Sequence, residues 1–343
     1  MIIMELSRND TKMLQGLSVF AMVCLHLFCK SYEGLYEPLL FINGVPVCFC
    51  FAQLSDFCVF GFAFCSGYGH MTIYCKKNYY KKRIKSLLVL IINFWVILFG
   101  ATIVSVLLGH SDFMPGSAGK FFGTMFFYDM HYNGAWWYLW VYALLVLISP
   151  ILLKAINRFS AVFIILISFS IYCLAFYVRF YFREYNYFLA YFGPFGTTLF
   201  EYVVGAVTAK MMFFTKITPL VNKVPSAVQG IIGCLIILIL FFAKTFLIPN
   251  VFFAPFTGFI IITVFALWRK PKWVTAAFMF LGNHSTNIWL THMFFIVSSF
   301  VYIAKYPLPI FMFLMVITIA ISFAVSFVIK GITKALDKVI KIR

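Results

Sequence analysis

The chain reads as all-α: a polytopic membrane helix bundle of about ten transmembrane helices with both termini cytoplasmic. Three observations predict this. Of its 343 residues 64% are hydrophobic and 11% charged, with a mean hydropathy of +0.99, so there is too little polar surface to cover a water-soluble globule of this size. About ten windows are long and apolar enough to cross a hydrocarbon core: 13–30, 46–69, 87–108, 135–153, 160–178, 187–209, 228–248, 250–268, 279–303 and 308–329. Placing the N-terminus in the cytoplasm also brings about 21 of the 27 Lys and Arg to that same side, as the positive-inside rule requires. The net charge of +17 is then a topology signal and an attraction to anionic lipid headgroups, not a nucleic-acid surface.

Met1 to Thr11 is a short polar lead, with Asp10 or Thr11 as the expected N-cap of the first helix. That helix, KMLQGLSVFAMVCLHLF from Lys12 to Phe28, is no signal peptide, because no small-residue cleavage site follows Phe28. At about 100° per residue Gln15 and His26 fall within roughly 20° of each other and roughly 16 Å apart, and Lys12 lies one turn below Gln15 on nearly the same face. One stripe therefore carries three polar side chains, and polar groups at bilayer depth face a cavity or a partner.

An acidic external loop, Ser31 to Gly44, leads to the second span, where Asp56 is expected to face the bundle interior or a partner such as a histidine. Five of the ten acids (Glu33, Glu37, Asp112, Asp129, Glu184) fall outside. The second span ends in FAFCSGYGH, whose glycines suit close helix packing and a functional bend equally. KKNYYKKRIK, Lys76 to Lys85, is the densest basic run and suits either a topology signal or a phosphate site. Tyr177 to Phe188 is aromatic, as interfacial anchors or as a platform for sugar rings. The nine cysteines fall almost wholly in spans without paired ligand spacing and read as small buried hydrophobes, with no metal site. His70, His110, His131 and His284 sit at expected interfaces or loops, with no role assigned. The whole chain, 1–343 with a core of about 10–330, reads as one membrane domain.

The order of features resembles the acyltransferase 3 family, integral-membrane enzymes that move acyl groups onto extracytoplasmic sugars. Its opening arginine, ten residues, then histidine is similar to Gln15 and His26; its LSGY and basic R-x-x-R elements resemble Cys65 to Tyr68 and Lys82-Arg83-Ile84-Lys85. WYLWVYALLVLISP (Trp137 to Pro150), Glu201-Tyr202 with Gly205, and LGNHSTNIWLTH (Leu281 to His292) resemble its three later elements. Two departures stand out: Gln15 replaces the arginine, with Lys12 as its candidate substitute, and the R-x-x-R element is lysine-rich, giving point charges where arginine gives a planar fork.

The resemblance implies an O-acetyltransferase-like enzyme of a bacterial cytoplasmic membrane that takes acyl-coenzyme A, most simply acetyl-coenzyme A, as donor substrate. Its acceptor is an extracytoplasmic glycan or lipid-linked sugar, and no cofactor is permanently bound. The chain ends at Arg343 with no appended SGNH-type esterase-like domain expected. Acyl transfer needs a base, polar groups for the oxyanion and a place for the donor. His26 is the candidate base, since an imidazole titrates near neutrality, or else a transiently acylated carrier. Glu201 is a second candidate catalytic acid, positioned to orient or pair with a histidine. Lys12, Gln15, Ser66, Tyr68, Lys82, Arg83 and Lys85 are candidate donor-binding residues; Asp56, Ser285 and His292 are candidate supporting residues, with His292 expected in the inner half of its span. A lipid-linked oligosaccharide transporter is the competing class, but it would show inverted repeats or matched broken helices, and none is found. A catalytically altered member of the same fold stays open because of Gln15.

Overall fold

The computed structural model describes residues 6–128, 130, 132–182, 187–297 and 304–341. Asp129, His131 and Glu184, and parts of the Tyr177 to Phe188 and 279–303 segments, lie outside the described residues. The first helix, α1 (Arg8–Phe28), begins earlier than the apolar run suggests. Ser7, not Asp10 or Thr11, is its N-cap: Asp10 N donates to Ser7 Oγ (3.1 Å) and Ser7 N donates to Asp10 Oδ2 (2.8 Å), a reciprocal box that satisfies two otherwise orphan amides. A two-residue-per-strand hairpin, β1 (Phe41–Ile42) with β2 (Val45–Pro46), is the one departure from an all-helical chain among the described residues.

The second span is broken into α2 (Val47–Leu54), a 3₁₀ turn at Ser55–Phe57 and α3 (Cys58–Ile73). After it come α4 (Tyr79–Leu107), the short α5 (Ala118–Met125), α6 (Trp137–Arg158) and α7 (Ala161–Tyr181). Then α8 (Tyr187–Lys210) bends by 67° into α9 (Phe213–Val221). α10 (Ser226–Phe242) runs into a π-helical turn at Ala243–Leu247, and a 3₁₀ turn at Val251–Phe253 opens α11 (Ala254–Leu267). α12 (Lys272–Val297) and α13 (Pro307–Lys341) complete the bundle.

Every expected apolar window is therefore occupied by a helix, but not every helix is a span by length and composition. Among the described residues seven are long and apolar enough to cross a membrane, or eight if the bent α8–α9 pair is one span. α11 has 14 residues and is short. α12 is long but carries Asn283, His284, Ser285, Thr286, Asn287, Thr291 and His292. Those residues are accommodated because α12 packs against α1 and meets α4 and α13 through polar contacts: Asn93 Nδ2 donates to Asn287 Oδ1 (2.6 Å), and Asn287 Nδ2 donates to Ser322 Oγ (3.1 Å).

The basic segments gather at the end of the bundle where α1 begins. There Leu6, Tyr68, Phe214 and Leu267 share one apolar cluster, Lys210 Nζ donates to Ile156 O (2.8 Å), and Arg269 Nη2 donates to Val224 O (2.6 Å). The cysteines are less uniformly buried than composition suggests: Cys24, Cys50, Cys58 and Cys65 are buried, while Cys29, Cys75 and Cys234 are exposed.

Candidate active site

Two glycine crossings set the geometry. α1 and α12 run parallel and touch backbone to backbone: a Cβ on Gly16 would lie 2.9 Å from Gly282 N, and one on Gly282 would collide with Lys12 O. Small residues permit this approach in a membrane bundle, where close van der Waals packing replaces the hydrophobic effect. Ten residues on from each glycine, about 15 Å along each helix at 1.5 Å per residue, stand His26 and His292. The crossing delivers them to each other, with His26 Nδ1 and His292 Nε2 2.7 Å apart. α3 and α8 cross similarly, Gly67 lying against the Tyr202 carbonyl and Gly205 against the Phe64 carbonyl. Gly67 of the SGYG run thus has a packing role, and its approach to the Tyr202 carbonyl brings that part of α8 close to α3.

The protons of the histidine pair follow from its partners. His292 Nδ1 lies 2.8 Å from Trp289 O and 3.1 Å from Ile288 O, both acceptors, so this nitrogen carries the hydrogen. In a neutral ring Nε2 then has the lone pair and accepts from His26 Nδ1–H. The nitrogen of His26 left for chemistry is Nε2, unprotonated in the neutral ring and therefore a proton acceptor. His292 does not sit in the inner half of its helix, as the window 279–303 suggests. α12 starts at Lys272 and runs parallel to α1, so the contact with His26, two residues before the end of α1, places His292 toward the end remote from the basic loops.

A cavity of about 660 Å³ runs beside this pair, within the usual range of ligand pockets. Its wall follows α1 through Lys12, Gln15, Met22, Leu25, His26 and Cys29, so it spans roughly 25 Å of the helix axis at 1.5 Å per residue. The polar stripe of α1 therefore faces one continuous space. Ser66 of α3, Ser86 and Leu90 of α4, and Ser285 and Thr286 of α12 line it beside that stripe. Trp137, Tyr138, Tyr142, Tyr172, Phe176 and Phe180 add an aromatic lining, with Arg179 beside them.

The sequence-derived donor residues divide. Lys12, Gln15 and Ser66 line the cavity, with Lys12 Nζ 3.4 Å from Gly282 O and Ser66 Oγ donating to Phe62 O (2.8 Å). Tyr68 does not line it; its ring is buried in the core and its hydroxyl accepts from Leu6 N (3.1 Å). Lys82 and Lys85 are exposed on the first turns of α4 and Arg83 is half-buried beside them, one turn below the lining Ser86. Arg83 Nε is buried without a hydrogen-bond partner among the described residues. His70 is not interfacial but buried in α3, 2.8 Å from Tyr202 Oη through Nδ1. His284 lies within α12, 2.8 Å from Ser322 Oγ.

The buried acids find other partners than histidine. Asp56, in the 3₁₀ break, is met by Lys244 from the π-helical turn: Lys244 Nζ donates to Asp56 Oδ2 (2.5 Å) and to Asn250 O (3.1 Å). The two irregular turns lie against each other, and each supplies one charge. Glu201 likewise has no histidine partner among the described residues: it lines the cavity, is 6% exposed, and its Oε2 has no hydrogen-bond partner there. Lys244 was the residue missed by sequence reasoning. It is the lone charge in the apolar window 228–248, the same signal that marked Asp56. Among the described residues no group of three or more His, Cys, Asp or Glu is placed to hold a metal ion.

The family model described as an acyltransferase domain, that of acyltransferase 3, matches residues 11–327. No curated protein and no solved structure matches the chain. The matched stretch runs from the second turn of α1 to well within α13 and so takes in the cavity, the histidine pair and both glycine crossings. The chain belongs to the acyltransferase 3 family and is an acyltransferase with membrane-spanning helices.

Proposed function

We propose that this enzyme is an O-acyltransferase of the bacterial cytoplasmic membrane. It moves an acyl group, most simply acetyl, from acyl-coenzyme A to a hydroxyl of an extracytoplasmic glycan or lipid-linked sugar. The observation that carries this reading is the single cavity joining Lys12 and Gln15, at the basic end, to His26, whose Nε2 is left for chemistry by the hydrogen bond to His292. By the positive-inside rule the basic end is cytoplasmic, which puts both termini there and gives the donor its entrance. Lys82, Arg83 and Lys85 lie within about a turn of the cavity-lining Ser86 of α4, and clustered cations there suit the phosphates of a coenzyme A thioester. Lys12 supplies the charge that Gln15 lacks.

The chemistry follows from the geometry. His26 Nε2 takes the proton of the acceptor hydroxyl as its oxygen attacks the thioester carbonyl. The tetrahedral intermediate collapses with cleavage of the carbon–sulfur bond, and the proton on His26 passes to the leaving thiolate, so the imidazole returns neutral. His292, pinned by two carbonyls, holds the ring and its tautomer through this cycle. The test is coenzyme A release and acyl-sugar formation by the protein purified in lipid. His26→Ala is expected to lower transfer by roughly 10²–10⁴-fold, the usual contribution of a positioned base. Transfer unchanged by that substitution rejects the assignment.

A further inference from the structure

The acyltransferase reading uses the histidine pair and the basic mouth but leaves the two buried acids of the cavity without a task. Both are built into the wall. The Asp56 side chain is 8% exposed; Lys244, itself 0% exposed, holds its Oδ2, and its Oδ1 has no hydrogen-bond partner among the described residues. Glu201 Oε2 is buried and lacks a partner in the same way. The acids come from different elements, the 3₁₀ turn at Ser55–Phe57 and α8, and both line the same cavity together with Tyr172. The Tyr172 hydroxyl donates to Phe252 O (2.8 Å), so its hydrogen is already committed.

A buried acceptor atom without a donor is costly, and two of them on residues that line one cavity call for a ligand with two donors. A carboxylate or phosphate at this point would bring only lone pairs. Trp137 also lines the cavity, with the Arg179 guanidinium over its ring 5.0 Å from the centroid. Flat aromatic faces with hydrogen-bond acceptors at the edge suit a sugar ring, whose C–H face stacks while its hydroxyls donate.

We propose that Asp56 Oδ1 and Glu201 Oε2 form a two-point acceptor clamp that takes two O–H or N–H donors from an uncharged sugar ring, with Lys244 fixing the Asp56 carboxylate. This rests on the acyltransferase reading and deepens it: His26 removes the proton from the hydroxyl that reacts, and the clamp selects which ring presents that hydroxyl.

The experiment measures kcat/KM for transfer from acetyl-coenzyme A to methyl glycosides of glucose, galactose, mannose and N-acetylglucosamine. Each is paired with its singly deoxygenated analogues, for the wild-type protein, Asp56→Asn and Glu201→Gln. The ratio of parent to deoxy sugar within one preparation cancels the fraction of protein that is folded, so a poorly folding variant still reports. In the wild type, removal of a clamped hydroxyl is expected to lower kcat/KM by about 100-fold or more, since a site built to hydrogen-bond a hydroxyl strongly rejects the analogue lacking it. For that same hydroxyl the ratio is expected to fall toward one in the matching variant. A wild type that transfers to sugars, with ratios unaltered in both variants, overturns the clamp and leaves the acyltransferase reading intact. A wild type that hydrolyses acetyl-coenzyme A but transfers to no sugar in the panel overturns both.

Discussion

The substitution Gly282→Ala tests whether the helix crossing, and not the histidines alone, makes the site. A Cβ on residue 282 would lie 2.8 Å from Lys12 C, with Lys12 O closer still and Gly16 N at 3.4 Å. These are backbone atoms and have no rotamer to yield. Ordinary contact between carbons is about 3.5–4.0 Å, so α1 and α12 must part by roughly 1 Å. That shift takes the 2.7 Å contact between His26 and His292 beyond about 3.5 Å, where a hydrogen bond is lost. His26 then loses the partner that sets its tautomer. A displacement of this size costs about 10²-fold in kcat, and the overpacked crossing costs about 1–3 kcal/mol of stability. Steady-state transfer and thermal unfolding in the same lipid read both quantities. Gly69→Ala is the matched control, because a Cβ there meets nothing within 4 Å; it is expected to leave transfer unchanged. Wild-type turnover and stability in Gly282→Ala would refute the claim that this crossing positions the base.

Further outcomes follow from the same geometry. His292→Leu removes the acceptor from His26 Nδ1 and is expected to lower kcat toward that of His26→Ala, with partial recovery in His292→Gln, whose amide oxygen can accept; equal activity in both variants rejects the tautomer role. Lys12→Ala is expected to raise the Michaelis constant for acyl-coenzyme A, and an unaltered constant rejects Lys12 as substitute for the missing arginine. Lys244→Met leaves Asp56 buried without its cation and is expected to cost roughly 3–5 kcal/mol, recovered in the double variant with Asp56→Leu; thermal unfolding of the three proteins decides. A cysteine placed at Lys82 is expected to react in intact cells with membrane-permeant reagents alone, and labelling by an impermeant reagent would invert the orientation.

Much of the fold was legible from composition, because a chain with 11% charged residues has few ways to satisfy its backbone other than helices in lipid. The α1 stripe was equally legible: helical periodicity alone puts Lys12, Gln15 and His26 on one face, and all three line the cavity. The ordered motifs from Gln15 to His292 also pointed to the family that the domain match identifies. Boundaries were less legible. The Ser7–Asp10 box extends α1 beyond its apolar run, and the polar content of α12 and the brevity of α11 separate being helical from being a span.

What the amino-acid order determined by itself was therefore the class, the helices and the face taken by the polar stripe of α1. Tertiary structure decided who stands opposite: Lys244 and not a histidine for Asp56, His292 for His26, and two glycine crossings that make those distances possible. The physical reason is that periodicity is a property of one helix. A hydrogen bond between residues 266 positions apart depends on where two backbones cross, and a glycine announces that it can be approached without saying by what.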